Sequence, residues 1–527
     1  MSRFVRQSAY RHTYGTPAKR ELQHENIKVS LSAFDTNLVA ASAKYLSVNW
    51  AASGGGAFLV TPLDIPGKLP DLFPLCRAHT APVLDTHWSP FDDSLVASVG
   101  EDSKLALTRV DDQILRDAWS GEREAPDLQP LYTKAAHGRK AGHVRWHPTA
   151  KGVLATAATD VKIWDVEAQT ASLTGDAHAD MVQSIDWSYT GDVFVTTCKD
   201  KKLRLFDPRT GSAAVTVADS HSGVKGSRVA WLGSLDRIVT TGFSRTSDRQ
   251  MFLWDARELA KGPIKQQNID QSSGMLMPFF APANNVLFVA GKGDGNIRMY
   301  ELENDELFYL SDYTSPQPQR GMCFAPPRAV DVGGNEIAKA YKAVGTTIEP
   351  ISFVVPRKSD SFQADLFPPV PSDEPALSAA DWFGGKSSAP ILVNQETRQH
   401  TAGSGVSTYK PSPPAATPAP APAAAPTPAP EPVKAPTPTP PAAATPAREP
   451  SPPPAPKAAP EPVSTPAPAA ATAAVNGGSS SSGSSESSAE AAALKDEVAQ
   501  LKAVLAEKDA HIRELELKLE RVKSAIA

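Results

Sequence analysis

Apolar and polar residues alternate along much of this chain in short runs. Val193, Val195 and Thr197 share one side of a pleat, as do Leu203, Leu205 and Asp207 in the next run. Alternation of this period, interrupted by turns rich in Gly and Asp, predicts antiparallel β-strands. The runs also recur as a group. From about His79 to Tyr300 the chain repeats one unit, with a mid-unit aromatic at Trp88, Trp146, Trp187, Trp231 and Phe280 and a further one at Phe324. An aromatic-acid pair closes the unit at Trp164-Asp165, Phe206-Asp207, Trp254-Asp255 and Tyr300-Glu301. Most steps are a little over 40 residues, the period of a four-stranded propeller blade. Five units, starting near Cys76, Lys134, Gly175, Ser220 and Gln271, are legible in this way.

The turns carry the next layer of information. An Asp stands six residues before the closing aromatic position at Asp102, Asp200, Asp248 and Asp294, whereas Asp160 stands four before Trp164, which predicts a tighter hairpin there. Asp294-Gly295 reads as a two-residue primed turn. His79, Ser98 and Asp102, like His178, Thr196 and Asp200, could pass for a nucleophile with its base and orienting acid. A catalytic set is needed once, however, and these recur around the array. They are expected to satisfy one another by hydrogen bonds inside a β-rich layer, so no enzyme is expected. Gly54-Gly55-Gly56 and the glycines of 291–295 lack the Gly-Lys-Ser/Thr ending of a phosphate loop, and they predict turns. No cofactor or metal is called for.

Composition divides the chain. Of its 527 residues 49 are Pro, most of them after Lys410, which removes residues 401–490 from any core and predicts a disordered Pro/Ala/Thr/Ser-rich linker. Beyond it, residues 491–527 carry a heptad seam. Val498, Leu505, Ile512, Leu519 and Ile526 take the a positions, and Leu494, Leu501, Leu515 and Val522 take d, with Lys508 the one polar d residue. Sustained spacing of four and three predicts a coiled coil that makes a homo-oligomer. Three widely separated cysteines suit a reducing compartment. A net charge of −5 without a long basic block argues against nucleic acid, and no apolar run is long enough to span a membrane. The first twenty residues, with Arg3, Arg6, Arg11, Lys19 and Arg20 and no acid, read either as a presequence or as an ordered basic segment leading into a strand over Ile27–Leu31.

Several stretches resemble the coronin family: RFVRQSAYRHTYG at the start, HTAPVLDTHWSPFDD from His79, KDKKLRLFDPR from Lys199, TTGFSRTSDRQ from Thr240, PQRGMCFAPPR from Pro318, and the run from Val355 to Val393. They span roughly the first 395 residues, and they favour the ordered basic segment over a presequence. The resemblance implies an all-β, seven-bladed propeller of WD repeats over residues 1–355, with a first blade across Ile27–Leu63 and a last across Arg320–Val355. The insertion around Asp111–Leu131 is expected as a loop between blades. Residues 356–400 are expected as an irregular extension, since Pro excludes long helices, with Phe362, Leu366, Phe367, Trp382 and Phe383 buried under the propeller.

Function follows from the same resemblance. Coronins bind actin filaments through the propeller, engage the branched-actin nucleating complex through the coil, and cooperate with cofilin, which implies a place in the cytoplasm, in the actin cytoskeleton at the cell cortex. One basic residue of the family's actin surface lies in the context Ile-Arg-Val-Ser, and Lys28 holds that position here, with Arg3, Arg6 and Arg11 as expected neighbours. Many family coils carry an Arg at the position of His511, a pattern associated with trimers, and its replacement leaves a trimer only slightly favoured over a dimer. The rival reading is a general WD-repeat scaffold whose client is not actin.

Overall fold

The computed structural model describes residues 6–403, apart from residues 33, 122–124, 176–177 and 360. Arg3, nearly all of the linker and the whole heptad seam from Leu494 to Ile526 lie outside the described residues.

The alternating runs form seven sheets that follow one another around a ring, each an antiparallel set in chain order. The first comprises Val39–Ala41, Tyr45–Trp50, Gly56–Pro62 and Leu75–His79. Five further four-stranded sheets occupy residues 83–135, 143–175, 182–219, 228–270 and 276–314. The seventh takes Gly321–Phe324, Glu336–Val344 and Thr347–Val354 from the end of the array. Its outer strand is Tyr14–Pro17 from the start of the chain, paired antiparallel to Thr347–Val354. Closing the ring with both ends of the domain leaves no long open edge for another chain to pair with. The fold is thus an all-β propeller.

The sequence unit and the sheet are offset by one strand. The unit that starts near Cys76 opens with Leu75–His79, the outermost strand of the first sheet, and then supplies the inner strands of the second. Each repeat therefore straddles two sheets and ties them together. Apolar faces pack between neighbouring sheets; Val195, Leu203, Trp231 and Trp254 are buried together between the fourth and fifth. Full burial of such side chains stabilises by about 1.5–3 kcal/mol each.

The polar layer is satisfied as expected in two units. His79 bridges Asp102 (2.9 Å) and Ser98 (2.9 Å). His137 bridges Asp160 (2.9 Å) and Thr156 (2.8 Å), and the Trp164 indole donates to the same Thr156 hydroxyl (2.8 Å). His178 and His221 keep only the hydroxyl, because Asp200 turns to Arg204 and Asp248 to Ser244 and Thr246. The Asp160 hairpin is the tighter one: Ala157 pairs with Val161, whereas Thr197 pairs with Leu203.

Four expectations are corrected. Ile27–Leu31 is not a strand; only Val29 bridges, to Trp50, because the segment leaves the seventh sheet and crosses to the first. The first sheet accordingly begins at Val39 and ends at His79. The insertion near Asp111–Leu131 lies within the second sheet, between its third and fourth strands, and contains the helix Asp112–Ser120, capped by the Asp111 side chain and ended by Gly121 at φ 71°. Asp294-Gly295 is not a primed turn: Gly293 takes the positive φ, and the Asp294 carboxylate is held by Arg249 (2.7 Å).

Strand direction defines two faces. Turns between second and third strands, with the links between sheets, form the upper face; turns between first and second and between third and fourth strands form the lower. The extension lies on the lower face. Trp382 is fully buried against His147 and Trp187, and its indole donates to Gly191 O (3.3 Å) in a first-to-second-strand turn. Its short helix, Ala379–Phe383, is started by a capping box of Ser378 and Asp381. Leu366 and Phe367 are buried, with Phe362 and Phe383 partly so.

Candidate functional site

Lys28 is placed by its neighbours. Ile27 and Val29 are buried, which turns the intervening side chain outward. The backbone is pinned on both sides: Ile27 N–H donates to Thr346 O (2.8 Å), Ala51 N–H to Lys28 O (2.8 Å) and Ser30 N–H to Asn49 O (2.7 Å). The Lys28 side chain is exposed on the upper face and makes no ion pair or hydrogen bond among the described residues.

Directly after it, residues 30–32 and 34–37 lie over the upper end of the central channel. Thr36 bonds Leu84 O of the second sheet (2.5 Å), and the Phe34 ring lies 5.7 Å from that of His143 of the third. Asn37 accepts from Arg228 of the fifth (3.0 Å), Asp35 pairs with Lys292 of the sixth (3.5 Å), and Ser30 O accepts from Arg320 beside the seventh (3.0 Å). This strap joins five sheets. Arg228 is buried with Arg145 nearby, and burial lowers its pKa to about 10. The strap's oxygens therefore meet a crowded cationic rim.

Further exposed cations stand on the same face, on the second to fifth sheets and their links, whereas Lys28 lies between the seventh and the first. Arg139 stands in the link after the second sheet, Lys199 and Lys201 in the fourth sheet's second turn, Lys225 in the following link and Arg245 in the fifth sheet's second turn. Lys201 donates to Ser222 O (2.8 Å), and Lys225 lies over the Phe243 ring (4.6 Å). Exposed Leu31 and Val224 add apolar contacts between them. Of the acids on this face Asp35 is engaged by Lys292, Asp180 by Lys199 (3.8 Å) and Asp219 by Lys202, while Glu101 is exposed. The face is shaped to receive an acidic partner. Sequence reading missed these residues because they are scattered between 139 and 245. Their common signal is position, each in a turn before a third strand or in a link before a first.

Arg6 and Arg11 do not join Lys28. Arg6 pairs with Glu301 and with Glu303 (2.5 Å) beside a third-to-fourth-strand turn of the sixth sheet, and it lies over the Phe308 ring (4.4 Å). Arg11 donates to Arg6 O. Both belong to the lower face, because the strand Tyr14–Pro17 climbs the edge of the seventh sheet and separates them from Lys28 by the height of a blade. Their charges anchor the N-terminal segment.

The His and hydroxyl groups of these sets are buried and repeated, and the Asp completes the set at His79 and His137 only. No group of three or more potential metal ligands occurs among the described residues.

Comparison with known proteins agrees with this architecture. Residues 3–68 match a domain of unknown function, DUF1899; residues 169–207 match the WD domain, G-beta repeat, and residues 348–390 a type of WD40 repeat. The coronin-like protein crn1 of Schizosaccharomyces pombe is 46% identical over 79% of this chain and 68% of its own length. The coronin-like protein of Saccharomyces cerevisiae is 47% identical over 75% of this chain, and the match spans only 61% of that protein. Coronin-A of Dictyostelium discoideum is 42% identical over 75% of this chain and 86% of its own. The crystal structure of the WD40 domain from Toxoplasma gondii coronin superposes with a TM-score of 0.68 at 30% identity, covering 73% of this chain and 97% of that one. With the ring closed by its own N-terminal strand and relatives of this identity over most of their length, the chain belongs to the coronin family.

Proposed function

We propose that this protein binds actin filaments through the upper face of the propeller, with Lys28 at the centre of the contact. The observation that carries this reading is an outward Lys28, unpaired among the described residues, set on a pinned backbone on a face that bears further exposed cations, at the position the coronin family uses for its basic actin contact. Filament surfaces are acidic, and a cationic face raises both encounter rate and affinity. The heptad residues Leu494, Val498, Leu501, Leu505, Ile512, Leu515, Leu519 and Val522 support a homo-oligomer, trimer slightly ahead of dimer, joined to the heads by the Pro-rich linker. Several heads on one coil present one another at high effective concentration, and avidity exceeds single-head affinity by roughly 10²- to 10⁴-fold. The intact protein therefore bundles filaments, and the coil end engages the branched-actin nucleating complex while the head cooperates with cofilin in the cytoplasm at the cell cortex.

High-speed co-sedimentation of the full chain with filaments tests binding; a general scaffold with another client stays in the supernatant. Low-speed sedimentation beside light scattering tests bundling. A chain lacking residues 491–527 should be monomeric, bind weakly and bundle little, and a monomeric truncation that bundles as well as the intact chain would falsify the avidity account.

A further inference from the structure

The lower half of the central channel holds a cavity of about 380 Å³ that the upper-face site does not use, a volume within the range of small-ligand pockets. Its origin is visible in the series of mid-unit aromatics. Trp88, Trp146 and Trp187 each send the indole N–H to a main-chain carbonyl of the preceding sheet: Ala40 O (3.1 Å), His87 O (2.9 Å) and Arg145 O (3.4 Å). At Trp231 the series breaks, and its buried indole nitrogen has no acceptor. The next two positions are Phe280 and Phe324, which lack both the larger ring and the N–H. The space left on that side of the channel is walled by Trp231, Phe279, Phe280 and Phe324, with the Phe279 and Phe324 rings 5.0 Å apart and only partly buried.

The opposite wall is charged. Asp85 is paired with Arg145 (2.7 Å), and the two cancel. His87 accepts the Trp146 N–H through Nδ1 (3.0 Å), and burial keeps the ring neutral. Asp186 is different. Its two oxygens accept the backbone N–H groups of Trp187 (3.0 Å) and Trp231 (2.7 Å), and no cation lies within hydrogen-bonding distance of it among the described residues. Asp186 is therefore the one carboxylate lining the cavity without a paired cation; burial raises its pKa to about 6, Arg145 favours its charged form from longer range, and aromatic faces enclose it. A carboxylate in that setting favours a cation that also stacks on the rings.

We infer that this cavity binds the side chain of a peptidyl lysine or arginine, its cation directed to Asp186 between the Phe faces. A neutral side chain of the same length lacks the charge. Access is from the lower face, since the strap lies over the other end of the channel. The lower rim is fixed by Asn284, which donates to Leu366 O (2.8 Å) and to the Tyr10 hydroxyl (3.1 Å), so the extension and the N-terminal segment both shape the entrance.

The test uses the full chain and two probes followed by saturation-transfer NMR titration: N-acetyl-lysine methylamide and its neutral analogue N-acetyl-norleucine methylamide. The lysine probe should bind at least about tenfold more tightly than the norleucine probe, a difference of one charge-assisted hydrogen bond. Phe280→Trp restores the residue found at the matching place in four other sheets, so it should fold with an unchanged melting temperature, fill the cavity and abolish binding. Asp186→Asn, which keeps an acceptor for Trp231 N–H, should weaken the lysine probe about tenfold and leave the norleucine probe unchanged. Equal binding of lysine and norleucine probes would reduce the cavity to an apolar void. Undiminished lysine binding by a folded Phe280→Trp protein would place the cation elsewhere and overturn the assignment.

Discussion

The two ends of the central channel are lined by the same inner strands and present opposite chemistry. At the upper end Arg228, Lys292 and Arg320 meet the oxygens of the strap, with Lys28 and further cations outside them. At the lower end the mid-unit aromatics, the Asp186 carboxylate and the buried extension come together. Each inner strand runs from the upper to the lower face, so its first residues and its closing aromatic are separated by about the length of one strand. One repeated unit thus builds a charge-bearing face and an aromatic one without any change of fold. The upper face is held by directed polar contacts and remains open to a partner. The lower face is held by burial.

If that division is right, lower-face damage should show as lost stability and upper-face damage as lost binding. The largest effect is expected at Trp382, fully buried against His147 and Trp187. Trp382→Ala should cost about 3–5 kcal/mol, read by denaturant unfolding, while the salt dependence of filament binding by the protein that remains folded is unchanged. A loss below about 1 kcal/mol would mean that the extension adds little to the propeller.

The converse variant is Lys28→Glu. It should leave the unfolding curve alone and weaken co-sedimentation by at least about tenfold at low salt, the gap between variant and native narrowing as salt screens the face. Lys225→Ala and Arg245→Ala should each give a smaller drop of a few-fold, in keeping with exposed charges. Undiminished filament binding by folded Lys28→Glu protein would take Lys28 off this surface.

The smallest effect sharpens the account of the lower face through pH. Burial lowers the His87 pKa to about 3, and that of His147 likewise, while His24, His178 and His221 are held near 4. In the unfolded chain these rings titrate near pH 6.5. Below that pH the unfolded state takes up protons that the folded state refuses, so stability is complete above about 6.5 and declines as pH falls towards 4 and then 3. His87→Asn keeps an acceptor for the Trp146 N–H and removes one such proton. Its unfolding free energy should fall less steeply between pH 6.5 and 4.5, by about 1 kcal/mol per pH unit; an unchanged slope would show that His87 is protonated in the folded protein.

Much of this was legible before the fold was known, and the reasons differ by element. The blades could be read because burial on both sides of a strand imposes period-two alternation, and because each sheet needs its own aromatic and its own turn. The His79–Ser98–Asp102 set could be read as structural because it recurs. Lys28 could be placed through family resemblance, while its outward direction also follows from apolar Ile27 and Val29 on either side. Arg6 and Arg11 could not be placed: a basic N-terminal segment looks the same whether its charges face a partner or pair with Glu301 and Glu303. The helix Asp112–Ser120 was hidden for a similar reason, since an insertion has no partner within the repeat to reveal where it attaches.

By itself the sequence determined the repeat, its strands, the positions of the buried aromatics and the break from Trp to Phe at Phe280 and Phe324, all of which are local consequences of burial and side-chain size. Tertiary structure alone decided which distant residues meet. It brought cations between Lys28 and Arg245 onto one face, carried Arg6 to the other, offset the sequence unit from the sheet, and turned the loss of indole at Phe280 and Phe324 into a cavity beside Asp186. The physical reason is ring closure: it fixes each turn's face by strand direction and each residue's neighbours by the order of sheets, neither of which any single repeat contains.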